Sequence, residues 1–187
     1  MSARTGLLLG TGASLLSACA APHSDTLAAF ERTLIAHASA TAALREWCAA
    51  RGIAPATKIV ARPLHDDDAA APGDLRGVLR IGADEPVGYR HVALACGDTV
   101  LSVAHNWYVP GRLTPEMNAQ LAASDTPFGT VAAALRFTRA RLTSAEAAGT
   151  ECPAGTVLTQ RALLSLPDGR PLSLLVECYS PAVLGGS

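Results

Sequence analysis

Two charged residues stand where charge is costly. Arg90 interrupts the run Val87-Gly88-Tyr89-Arg90-His91-Val92-Ala93-Leu94, and Glu177 stands inside Leu172-Ser173-Leu174-Leu175-Val176-Glu177-Cys178-Tyr179. A half-buried guanidinium needs a carboxylate partner, from the protein or from a ligand, because taking it out of water unpaired is expensive. For Glu177 two readings stand side by side: a solvent-facing residue of a strand, or a desolvated acid whose proton affinity is raised by burial or lowered by nearby Arg90. Asp125-Thr126-Pro127-Phe128-Gly129 adds a third feature. Asp125 or Thr126 can cap a helical turn whose first amides, left free, suit an anionic ligand; the same five residues also read as a capped turn with Phe128 plugged into the core. His65-Asp66-Asp67-Asp68 is the remaining cluster, and its Ala/Pro/Gly surroundings make it a solvated loop rather than a metal site.

These residues need a scaffold. The centre of it is Leu101 to Gly129. Val103 to Val109 is rich in β-branched and aromatic residues and stops at Pro110-Gly111, as a strand would. Thr114-Pro115-Glu116 then opens a helix carrying Met117, Leu121 and Ala122. Ahead of this core, Asp25 is expected to cap a helix over Leu27, Phe30, Leu34 and Ile35, and a second helix starts at Thr41 with Leu44, Trp47 and Cys48 on one face. Thr57 to Leu64 and Leu75 to Ile81 read as strands, and Cys96-Gly97-Asp98 closes a hairpin. Val131 to Leu142 passes from helical to strand-like. The chain ends in a hairpin of Thr156 to Leu166 and Pro171 to Ser180 around Pro167-Asp168-Gly169-Arg170.

The chain has 187 residues and a formal charge of −1. That favours one domain with a real core and argues against a nucleic-acid partner, which wants a basic face. Arg4, the apolar stretch Gly6 to Leu16, and Leu16-Ser17-Ala18-Cys19 follow one another like the signal and lipobox of a bacterial lipoprotein. Residues 1–18 are thus expected to be a signal peptide, 19–24 the lipidated Cys19 and a tether, and 25–187 the folded domain. The location is the cell envelope, at the periplasmic side of the outer membrane if the source is Gram-negative, with the lipid anchor as the sole membrane contact. Cys48, Cys96, Cys152 and Cys178 allow three complete pairings in an oxidising compartment, or free buried thiols; none has the spacing of a metal site.

In order and in residue type, the chain from about Leu27 to Leu184 resembles the chorismate lyase family. The likeness is carried by Gly88-Tyr89-Arg90-His91-Val92-Ala93-Leu94, the Cys96-Gly97-Asp98 hairpin, Val109-Pro110, Leu113-Thr114, Thr126-Pro127-Phe128-Gly129, and Gly169-Arg170-Pro171 through Glu177-Cys178-Tyr179-Ser180-Pro181. The resemblance implies an α+β domain, a mainly antiparallel sheet of about six strands with helices packed on one side over a buried ligand site. It implies cleavage of chorismate to 4-hydroxybenzoate and pyruvate with no cofactor and no metal. Arg90 matches the arginine that binds a ligand carboxylate and Glu177 the glutamate that contacts the ring hydroxyl; both are the catalytic candidates. Phe128 and Ala40 match positions whose backbone amides hold the ligand. A dianion such as chorismate wants a bidentate arginine and helix-start amides, so residues and resemblance agree. The chain departs from the family at His105-Asn106-Trp107-Tyr108, where a small glycine is usual; His105 enters the substrate-binding set as an acid or base, with a structural or surface histidine as the other reading.

An exported protein would meet chorismate only if it is supplied outside the cytoplasm. The same fold resembles the ligand-sensing domain of GntR-type regulators, which bind effectors without chemistry. A lipid-anchored, monomeric binding protein for a small aromatic or carboxylate ligand is therefore the alternative, and a structural envelope lipoprotein with a vestigial pocket the third reading.

Overall fold

The computed structural model describes residues 21–65 and 70–185. Helix α1 (Ala21–Ala36) and helix α2 (Ala40–Ala50) lead into strand β1 (Ile59–Pro63), the short helix α3 (Leu75–Leu79), strands β2 (Gly88–Cys96) and β3 (Thr99–Tyr108), helices α4 (Pro115–Ala123) and α5 (Phe128–Val131), and strands β4 (Thr138–Ala145), β5 (Leu158–Ser165) and β6 (Pro171–Tyr179). The strands form one antiparallel sheet in the order β1-β2-β3-β6-β5-β4. The long β3–β6 pairing that closes its centre joins Ser102 to Tyr179 and Tyr108 to Ser173. This is the α+β architecture expected from the sequence, with six strands and helices.

Strand alternation sorts the side chains into two layers. On one face, Val92, Leu94, Ala104 and Tyr179 meet Leu27, Phe30, Leu34, Ala43, Leu44 and Trp47 of α1 and α2. The buried positions of α2, Ala40, Ala43, Leu44, Trp47 and Cys48, are one helical stripe. Farther along that face, Leu121, Phe128 and Val131 of α4 and α5 cover Leu164 and Leu172. On the other face, Trp107, Leu174, Val176 and Cys178 are covered by Leu75 and Leu79 of α3.

Four expectations need correcting. Leu75 to Ile81 is a helix, not a strand: Leu75 and Leu79 are spaced for one turn as well as for alternation, and packing chooses the turn, which Arg80 ends in a left-handed conformation at φ 51°. Asp25 is no cap, since α1 begins at Ala21 and takes in residues 21–24, expected as tether. The second helix starts at Ala40 rather than Thr41, its first turn capped by Ser39, whose hydroxyl accepts from the Ala42 amide at 3.2 Å. The turn at Phe128 has Pro127 at its N-cap with no side-chain bond, so neither Asp125 nor Thr126 caps it. Thr114 does cap α4, accepting from the Met117 amide at 3.2 Å. The cysteines pair as Cys48–Cys96 and Cys152–Cys178, with Cα separations of 6.4 and 5.5 Å. Cys19 and Asp66 to Asp68 lie outside the described residues.

Candidate functional site

The face covered by α1, α2, α4 and α5 holds a cavity of about 40 Å³ between the sheet and the starts of α2 and α5. Arg90, Asn106 and Glu177 reach it from the strands; Ser39, Ala40 and Thr41 reach it from α2, and Phe128 and Gly129 from α5. The rest of its wall is apolar, from Val92, Leu94, Ala104, Leu164 and Leu175. Arg90, Glu177, Ala40 and Phe128, named separately from the sequence, thus come together at one place.

Gly129 makes the approach of the two helices possible. A Cβ there would sit 2.9 Å from the Cβ of Ser39 and 3.1 Å from the hydroxyl of Thr41. With glycine, α5 abuts the beginning of α2. The first amides of α2 precede its intrahelical ladder, so its dipole and free N–H groups favour negative charge at that end of the cavity.

Arg90 is half-buried on β2, and no carboxylate lies within ion-pair distance of it among the described residues. Its guanidinium donates instead to the carbonyls of Thr126 at 3.1 Å and Ser124 at 3.2 Å. Burial pulls the guanidinium below its ordinary value, while the Tyr108 phenol works the other way. The carbonyl between, that of Asp125, accepts from the Ala61 amide at 2.7 Å, so the segment leading into α5 is tied to β1 and β2 together.

Glu177 is only 2% exposed. It is not a solvent-facing strand residue. Its partner is Arg139 of β4, whose side chain is 4% exposed and which forms an ion pair with Oε2 and also donates to Gln160 Oε1 at 3.0 Å. Tyr179 donates to the same Oε2 at 2.9 Å. Burial by itself would lower Arg139, but the Glu177 carboxylate and Tyr179 outweigh it and hold the guanidinium above its ordinary value. Burial, then the neighbouring carboxylate, pushes Tyr179 well up, so it stays a phenol and a donor. Oε1 of Glu177 accepts nothing among the described residues.

His105 does not belong with these residues. It is the register partner of His91, and both point to the opposite face of the sheet from Arg90 and Glu177. There its ring stacks on His91 at 4.2 Å and is held by the Tyr89 hydroxyl at 2.9 Å and the Glu151 carbonyl at 3.0 Å. Burial lowers its pKa, with the Glu151 bond opposing. A structural histidine is the reading that fits, and the substrate-binding role fails on geometry.

Arg139, Gln160, Tyr179 and Asn106 were not foreseen. The signal for Arg139 was present in principle: a buried acid demands a cation, and the strand-like Phe137-Thr138-Arg139-Ala140-Arg141 offers arginines on alternate positions of one face. The cavity-facing side of Asn106 was hidden in the run His105 to Tyr108, where only the register tells inward from outward.

This architecture, a six-stranded antiparallel sheet with helices, is the α+β fold of the effector domains of GntR-type regulators, a fold related to that of chorismate lyase. The effector domain of PhnF from Mycobacterium smegmatis superposes with a TM-score of 0.54 at 15% identity, covering 78% of this chain and 90% of that one. Against a second structure, of PhnF from Mycobacterium smegmatis, the TM-score is again 0.54 at 14% identity, covering 78% of this chain and 65% of that one. In sequence, the chain is 43% identical over 170 residues to a protein of Sinorhizobium fredii (strain NBRC 101917 / NGR234) named "Uncharacterized protein y4mC", covering 81% of this chain and 72% of that protein. The chain belongs to the same family as y4mC. No protein-family model matches it.

Proposed function

We propose that the cavity binds a small ring-bearing carboxylate of the hydroxybenzoate type. The carboxylate lies toward Arg90 and the first amides of α2 and α5, and the ring hydroxyl toward Oε1 of Glu177. The observation that carries this is the pairing inside the site: the buried acid has its own cation in Arg139, so Arg90 is left as a cation with no carboxylate among the described residues. A ligand carboxylate supplies it. The apolar wall between the two ends suits an aromatic ring. About 40 Å³ is room for water rather than a ring. Entry therefore displaces a wall, and the Ser124–Thr126 carbonyls now bonded to Arg90 are the contacts a carboxylate would replace.

The lyase reading is kept because Glu177 offers an oxygen to the cavity. In cleavage of chorismate the ring loses the proton at C4, the bond from C3 to the enolpyruvyl oxygen breaks, the ring becomes 4-hydroxybenzoate and the departing group is collected as pyruvate. No co-reactant is needed. Arg90 holds the substrate, Glu177 is the group placed to take a proton or orient the hydroxyl, and positioning supplies much of the rate.

Both readings are tested together by incubating the purified protein with chorismate, quantifying 4-hydroxybenzoate and pyruvate, and recording thermal melts with each compound. Equimolar products, lost in Arg90→Ala, support the lyase. A melting shift with 4-hydroxybenzoate but no turnover supports binding without chemistry. Neither product nor shift defeats both. Lipid anchoring through Cys19 belongs to the same proposal and is supported by the two disulfides, which suit an oxidising compartment. Membrane-fraction protein should gain the mass of an acylated N-terminal cysteine, and Cys19→Ala should lose it.

A further inference from the structure

We propose that Asn106 is a ligand-binding residue whose side-chain amide donates from Nδ2 to the bound carboxylate, beside Arg90. The inference rests on the small-carboxylate reading above and extends it to selectivity. Asn106 is 3% exposed and lines the cavity. The Ser173 hydroxyl donates to its Oδ1, which fixes the plane of the amide. Nδ2, at the other end, is buried and has no acceptor among the described residues.

A buried amide donor without a partner is costly, and native proteins leave few of them. On the cavity wall Val92, Ala104 and Leu175 carry no acceptor, and none of the side chains that do, Ser39, Thr41 and Glu177, bonds Nδ2. What the sheet does offer is proximity to Arg90, the residue directly opposite on β2. Side chains so paired have Cβ atoms about 5 Å apart, within the span of one carboxylate. Arg90 and Asn106 therefore present two donors to the two oxygens of a planar carboxylate. A carboxamide would turn its own NH2 toward one of them, so the pair selects acid over amide.

The test is calorimetric titration of the purified protein with 4-hydroxybenzoate and with 4-hydroxybenzamide. The unmodified protein should bind the acid in clear preference. Asn106→Leu, close in size and without the donor, should bind the acid about tenfold more weakly or worse, and Asn106→Asp, which sets an anion beside Arg90, should not bind it measurably. Acid binding unchanged in Asn106→Leu would overturn the inference while leaving the cavity as a carboxylate site. No binding of the acid by the unmodified protein would overturn the site and the inference together. Should the variants not fold, the side-chain amide resonance of Asn106 in the unmodified protein decides: a downfield shift on saturation with 4-hydroxybenzoate is expected, and an unmoved resonance in a protein that binds the acid overturns the role.

Discussion

Glu177 is tolerated near the middle of the sheet because Arg139 and Tyr179 meet its carboxylate. Removing the cation alone would strand the acid, so Arg139→Met should destabilise the fold by roughly 3–5 kcal/mol in urea denaturation, whereas Arg139→Met with Glu177→Met should recover most of that. A double variant as unstable as the single one would show that the pair does more than satisfy itself. In the binding mode proposed above Arg90 instead meets the ligand carboxylate, and Arg90→Ala should then cost roughly 2–5 kcal/mol of 4-hydroxybenzoate binding by calorimetry. On the far face, His105 is held below its ordinary value of 6.5 by burial. Folding then favours the neutral ring, the unfolded chain binds the extra proton first, and stability should be full above about 6.5 and fall as pH drops below it. His105→Gln should flatten that fall in chemical denaturation series across pH 7 to 5 if the assignment is right. At this scale the sequence showed that Glu177 was anomalous but not who answered it: Arg139 lies 38 residues away, and register, not residue type, separates it from Arg136 and Arg141.

Between elements, the close contact is that of α5 with the start of α2. Gly129→Ala would place a methyl 2.9 Å from Ser39 Cβ, against backbone-supported atoms at a helix cap. Overpacking of this kind costs about 1–3 kcal/mol, and here it should also weaken 4-hydroxybenzoate binding, because both helix starts form the cavity wall. Loss of stability without loss of affinity would mean the wall does not hold the ligand. The strands of the sheet and the Thr114 cap were legible because alternation and capping are local. The cap of α5 was not: Asp125 and Thr126 are both good capping types, but Pro127 takes the N-cap position and both lie ahead of it. The same limit turned Leu75–Leu79 into an expected strand, since one turn of helix and four residues of alternation place Leu75 and Leu79 alike.

Over the whole molecule, two disulfides tie the layers together. Cys48–Cys96 joins α2 to the end of β2 across 48 residues, and Cys152–Cys178 joins the β4–β5 connection to β6 across 26. By loop-closure entropy they contribute about 4 and about 3.5 kcal/mol, so reduction should lower the melting temperature well beyond the effect of any surface change. An unchanged melt after complete reduction would contradict that. The four cysteines left three pairings, or free thiols, open in the sequence, and only the packing of α2 on β2 and of the β4–β5 connection on β6 selects between them. The likeness in order of elements, by contrast, reached the α+β fold without any coordinates, because it depends on topology rather than on single contacts. It also brought Arg90, Glu177, Phe128 and Ala40 to one cavity, and misplaced His105 by one strand position.

The most direct test is a crystal structure of the protein with 4-hydroxybenzoate. The account predicts the ring between the sheet and the starts of α2 and α5, its carboxylate on Arg90 and Asn106, its hydroxyl on Glu177, and the Arg90 bonds to Ser124 and Thr126 broken. A ligand seated elsewhere, with those two bonds intact, would contradict it.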